Sequence, residues 1–196
     1  EVIKNINSQS RRDVNTDRCV TFYFEIDYNL FQSNGSNTST TTNWMTSVFN
    51  NVQTLFANDD ITTALKSMFI WTSQDIYEGI GTSSSDYLYA FLDNRPTFNG
   101  DLGQLCALAG SSLGGIAFLS GLCNSFKYSY AGINSGYNNV PTYSWTVMVM
   151  THEIGHNLSS NHTHWCGWPG GAIDNCYTTE GGCSPGPAPT NGGTIM

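Results

Sequence analysis

All four histidines of this 196-residue chain fall inside one run of thirteen, His152-Glu153-Ile154-Gly155-His156-Asn157-Leu158-Ser159-Ser160-Asn161-His162-Thr163-His164. The first five residues read H-E-x-x-H. On a helix that spacing sets two imidazoles one turn apart on one face, with a carboxylate beside the first. A third histidine follows six residues after the second, enough for the chain to turn and come back to the same point. Three neutral imidazoles leave one position of a tetrahedral zinc ion open, which is the catalytic rather than the structural arrangement. His152, His156 and His162 are therefore the candidate zinc ligands. Glu153 is the candidate general base, held near the metal by the helix yet pointing out of the ligand set. There it can take a proton from a water that zinc acidifies and pass it to a leaving amine. The chemistry expected is hydrolysis of a peptide bond with no covalent intermediate. His164, two residues past the third ligand, reads as solvated or supporting rather than ligating.

The five-residue motif alone recurs by chance, so the elements that would position it matter. From Tyr143 to Leu158 the pattern is helical, with Trp145, Val149, His152 and His156 on one face. The stretch before the histidines, T-V-M-V-M, is apolar on nearly every side and predicts a buried helix. A buried helix keeps two histidines and a glutamate only if something satisfies them, and metal ligation does. Upstream, Cys19–Asp27 and Ile61–Trp71 read as strands, and Asn43–Ala57 as an amphipathic helix after a polar loop over 32–42. Leu88, Phe91 and Leu92 mark a second helix ended by Pro96. Gln104–Ala109 and Gly115–Leu122 are further strands joined by a Gly/Ser turn. After Leu158 the composition shifts to Gly, Pro, Asn, Cys and Trp, and regular structure is expected to end. The order points to an α+β class: a twisted mixed β-sheet with helices packed on it and a smaller irregular C-terminal lobe.

Composition narrows the setting. A hydrophobic content of 39% can build a core without covalent help. A net charge of −8 argues against nucleic acid or an anionic membrane as partner. No apolar run approaches the ~18 residues of a membrane span. Six cysteines without C-x-x-C spacing read as three disulfides in an oxidising, extracellular setting, with one bridge expected within Cys166–Cys183. The pairing is otherwise open.

The segment V-M-V-M-T-H-E-I-G-H-N-L and the histidine after it resemble the metzincin signature H-E-x-x-H-x-x-G-x-x-H. The wider chain is similar to the adamalysin (reprolysin) family of zinc endopeptidases, in its secreted bacterial branch. Gly193-Thr194-Ile195-Met196 looks like that family's Met-turn, which implies that Met196 lies beneath the zinc. Gly115-Ile116-Ala117-Phe118-Leu119 looks like its edge strand, the alternative being an ordinary paired strand. The resemblance implies that Gly115, Ile116, Ala117 and Phe118 bind an extended substrate by strand addition. It also implies a secreted catalytic domain over 19–196, acting as a monomer on proteins or peptides, after an N-terminal extension over 1–18. Some relatives bind calcium at the rim of the sheet, where Glu25, Asp27 and Asp101 are candidate ligands.

Three departures stand out. Ser159 occupies the signature's glycine, where a left-handed backbone costs a serine about 1–2 kcal/mol unless Ser160 or Asn161 takes that conformation instead. Thr163 follows the third histidine where animal members usually carry aspartate. The chain also stops at Met196, where a further subdomain is implied, so it reads as truncated. Two rivals follow: a zinc-holding domain without turnover, and a structural site closed by His164 or a cysteine thiolate.

Overall fold

The computed structural model describes residues 2–4, 19–109, 112–190 and 194–196. Strands β1 (Val2–Lys4), β2 (Val20–Ile26), β3 (Thr63–Ile70), β4 (Leu102–Ala107), β5 (Gly115–Ala117) and β6 (Tyr128–Gly132) form one sheet in the order β1-β3-β2-β4-β6-β5. The four inner strands run parallel, and β1 and β5 close the two sides antiparallel. Among the described residues four helices accompany them: α1 (Tyr28–Ser33), α2 (Thr38–Asn58), α3 (Ser84–Asn94) and α4 (Trp145–Asn157). The class is α+β with a mixed sheet, as expected, and no described helix is long and apolar enough to cross a membrane.

Alternation along the strands sorts residues onto two faces. On β2, Phe22, Phe24 and Ile26 join the larger core with Met45, Val48 and Val52 of α2 and Val149, Met150 and Ile154 of α4. Tyr23 points the other way, to Leu88 and Phe91 of α3 and Tyr128 and Tyr130 of β6. The helix that carries the histidines is thus a core element, buried along Val147, Val149, Met150 and Ile154. Gln104 of β4 secures it further, donating from Nε2 to the Met150 carbonyl at 3.2 Å.

Several elements differ from the sequence expectation. The segment read as a loop over 32–42 contains the end of α1 and the first turn of α2. Asn37 caps α2 by accepting from the Thr40 amide at 2.9 Å, and Thr41, Thr42 and Thr46 donate their hydroxyls to carbonyls four residues back. Back-bonding satisfies these hydroxyls but slightly weakens a helix; α2 is held by its buried face of Met45, Val48, Phe49, Val52 and Phe56. The strand expected over 115–122 ends at Ala117, because Ser120 and Cys123 adopt positive φ of 60° and 62° and turn the chain. Strand β6, a short Y-S-Y-A-G segment with Ser and Gly inside it, is not among the strands expected from the sequence. Of the expected N-terminal extension only Val2–Lys4 is described, as β1; Gly110, Ser111 and Gly193 also lie outside the described residues.

The cysteine and calcium expectations need correction. One disulfide is present, Cys166–Cys183; Cys19, Cys106, Cys123 and Cys176 are free. Cys106 sits fully buried on the core side of β4, where burial pushes its thiol well up. The three carboxylates proposed for calcium form no metal-holding group among the described residues, and protein donors already engage each one. Glu25 is fully buried and accepts from Tyr23, Tyr77, Trp71 and Arg95. Asp27 caps α1 through Leu30 N–H at 2.8 Å and takes Leu108 N–H at 2.9 Å. Asp101 accepts from the Thr21 amide at 2.8 Å.

Candidate metal centre

Helix α4 places His152 and His156 one turn apart, and the chain then reverses to bring His162 to the same point. The reversal is a Schellman turn: Ser159 N–H donates to His156 O, and Ser160 N–H to Gly155 O, both at 2.9 Å. Ser159 takes the left-handed position with φ 82°, while Ser160 and Asn161 do not. The serine therefore adopts the backbone that glycine would hold at lower cost.

Each of the three rings is oriented through its Nδ1 atom. His152 Nδ1 lies 2.6 Å from the Ile195 carbonyl and His156 Nδ1 2.8 Å from the Ser160 carbonyl. Carbonyl oxygens only accept, so each Nδ1 carries the proton and each Nε2 keeps its lone pair. His162 Nδ1 lies 2.9 Å from Glu180 Oε1, which selects the same tautomer. That bond, above all, holds the Glu180 carboxyl below its usual range. Burial keeps the first two rings neutral, lowering His152 and pushing His156 down to about 4.

The three Nε2 atoms then face one another, His156 and His162 at 3.1 and 3.3 Å from His152 Nε2. With no proton on either nitrogen, these contacts are opposed lone pairs rather than hydrogen bonds. A cation between them is what such a set stabilises. Ligands at 2.0–2.1 Å from a tetrahedral zinc stand about 3.3 Å apart, so donor type and spacing both fit that ion. Among the described residues no cysteine joins the cluster, and Cys166 is committed to its disulfide. His164 faces Glu180 instead, 3.3 Å from Oε1.

Glu153 lies beside the cluster, 5% exposed, where desolvation alone pushes its carboxyl up to about 8. Gly115 makes room for it: a Cβ there would fall 2.5 Å from Glu153 Oε1. Strand β5 is the outermost strand on this side of the sheet, its Gly115 turned to α4 and its Ile116, with Phe118 beyond it, packed on the α3 side. Asn157, next to His156, fastens strand to helix by donating to the carbonyls of Phe118 at 2.8 Å and Tyr128 at 3.0 Å. Ser120 N–H completes the join by donating to His156 O at 2.9 Å.

Met196 passes under α4 with its sulfur against Gly155. Thr163, in the position of the missing aspartate, contacts Asp174 Oδ1 at 2.9 Å and Met196 O at 3.0 Å. Sequence reasoning missed Asn157, Asp174 and Glu180. Asn157 sits inside the motif as an unspecified residue, and the two acids lie in a loop whose path no periodicity reveals.

The Reprolysin_5 model of metallo-peptidase family M12 matches residues 16–196. Human (Homo sapiens) disintegrin and metalloproteinase domain-containing protein 33 is 27% identical over 184 residues, covering 90% of this chain and 21% of that protein. The chain thus spans about a fifth of that relative's length. A solved structure titled "Structure of a chaperone-substrate complex" superposes on 74% of this chain and 24% of its own, with a TM-score of 0.50 and 15% identity, a likeness in fold alone.

Proposed function

Because the chain belongs to metallopeptidase family M12, we propose that it is a secreted zinc-dependent endopeptidase. In this reading His152, His156 and His162 hold the ion and Glu153 carries protons. The observation that carries it is the convergence of three unprotonated Nε2 atoms at the spacing of a tetrahedral ligand set.

When bound, zinc supplies Lewis acidity, polarising the scissile carbonyl and acidifying the attacking water. The chain's own groups do the rest. Glu153, buried against Gly115, stands where it can take a proton from the attacking water and deliver it to the departing amine nitrogen. A domain that merely held the metal would have no use for this costly buried carboxylate. Gly115, Ile116 and Ala117 offer an edge to an extended peptide, with Phe118 at its end, so the scissile bond is laid alongside Glu153. Residues 19–196 are the catalytic unit, with Met196 as the floor under α4. The Cys166–Cys183 bridge supports an extracellular setting.

Zinc content and hydrolysis of unfolded casein, with and without a chelator, test the reading. Glu153→Ala is expected to keep stoichiometric zinc and lose turnover by several orders of magnitude. Near-normal turnover in the zinc-loaded variant would reject the mechanism.

A further inference from the structure

The three ligands are not held alike. The acceptors for His152 and His156 are main-chain carbonyls, while His162 depends on a side chain eighteen residues downstream. Glu180 Oε1 lies 2.9 Å from His162 Nδ1 and 3.3 Å from His164 Nε2, bridging the two rings. His164 stacks on His162 almost in parallel, centroids 4.9 Å apart and planes 11° from parallel. An ionised carboxylate accepting from an imidazole fixes its tautomer and orientation and strengthens it as a metal ligand.

Glu180 reaches this place through a clamp. Its N–H donates to His164 O at 3.1 Å and its carbonyl accepts from Cys166 N–H at 2.9 Å, the two strands of chain meeting as an isolated bridge. The disulfide from Cys166 to Cys183 ties them together three residues further on. The intervening loop has no regular structure and positive φ at Gly170, Gly171, Gly181 and Gly182. Left open, such a loop must give up conformational entropy to bring Glu180 home; closed by a covalent bond, much of that cost is already met.

We propose that Glu180 is the positioning residue of the third metal ligand, holding His162 as its Nδ1–H tautomer against His164, and that the Cys166–Cys183 bridge delivers it. The proposal rests on the zinc reading above. His162, His164 and Glu180 could instead gather a second cation, their ligand atoms lying within 4.8 Å of one another. That arrangement would take the Nδ1 proton from His162, so the two roles exclude each other.

Zinc affinity, measured by competition with a chromophoric chelator, separates them, with the visible spectrum of the Co2+-loaded protein reporting ligand geometry. Glu180→Ala is expected to weaken zinc by roughly 10–100-fold and to alter the Co2+ bands. Glu180→Gln keeps an oxygen that accepts from Nδ1 and should recover part of both. Cys166→Ser with Cys183→Ser should weaken zinc in the same direction and add little to Glu180→Ala, because both act through one contact. Glu180 is half exposed, so the metal-free Glu180→Ala protein should melt as the wild type does. Wild-type zinc affinity and an unchanged Co2+ spectrum in Glu180→Ala would overturn the proposal alone, as would two zinc ions per wild-type chain. A wild-type chain that takes up no zinc would overturn the peptidase reading with it.

Discussion

The sulfur of Met196 occupies the space that a side chain on Gly155 would need, with Sδ 2.7 Å from where a Cβ would stand. The glycine of H-E-I-G-H is thus a seat for the methionine, whose neighbour Ile195 accepts from His152. Gly155→Ala gains about 1 kcal/mol of helix propensity, but overpacking costs about 1–3 kcal/mol. The variant is expected to melt lower than the wild type and to bind zinc more weakly. Equal melting and affinity would mean that the methionine moves aside freely.

Ser159→Gly should act in the other direction. It relieves a φ of 82° that costs serine about 1–2 kcal/mol, and gives back part of that through a freer unfolded chain. A net gain of about 1 kcal/mol should appear as a higher melting temperature in saturating zinc. A lower value would reject strain at this turn.

Asp27 should leave a mark on the pH dependence of stability. Burial, against two amide donors, raises its carboxyl to about 7, with Asp75 and Glu78 adding repulsion. The folded state then binds the proton more tightly than the unfolded chain, whose aspartates titrate near 3.9. The stability this confers is present below about pH 4 and lost as pH rises towards 7. Asp27→Asn cannot titrate, so it forgoes that gain at low pH. In metal-free protein, the melting gap by which the wild type exceeds the variant should narrow between pH 4.5 and 7.5. A gap that widens would contradict it.

Four thiols per chain should react with a thiol reagent in denatured, unreduced protein, since only Cys166 and Cys183 are paired. Before denaturation, exposed Cys123 and Cys176 should react first and buried Cys106 last. A titration finding none would restore the three-bridge reading.

The sequence was most informative where a single local pattern decided the outcome. The buried run ahead of His152 required a helix, and that helix fixed the placement of His152, His156 and Glu153. The left-handed turn was expected from the glycine of the resembling signature, with Ser160 and Asn161 as alternatives to Ser159, and the structure places it at Ser159. Glu25, Asp27 and Asp101 misled because isolated acids in a strand say nothing of the donors that the fold brings to them: Arg95 reaches Glu25 across seventy residues. The cysteine count misled likewise, since parity is blind to Cys106 pointing into the core. Glu180 was illegible for a related reason. Its partner lies across a glycine-rich loop, and only the closed loop sets the two side by side.

The anchoring of the histidines also sets how the centre responds to sequence drift. Ile195 and Ser160 orient their rings through backbone oxygens, which every amino acid supplies, so these two supports survive almost any substitution at either position. The third support is a surface side chain that one base change can erase. Random mutation would therefore strike the proposed metal centre unevenly. Its loss of function by drift should begin at His162, with the helix-borne pair still intact.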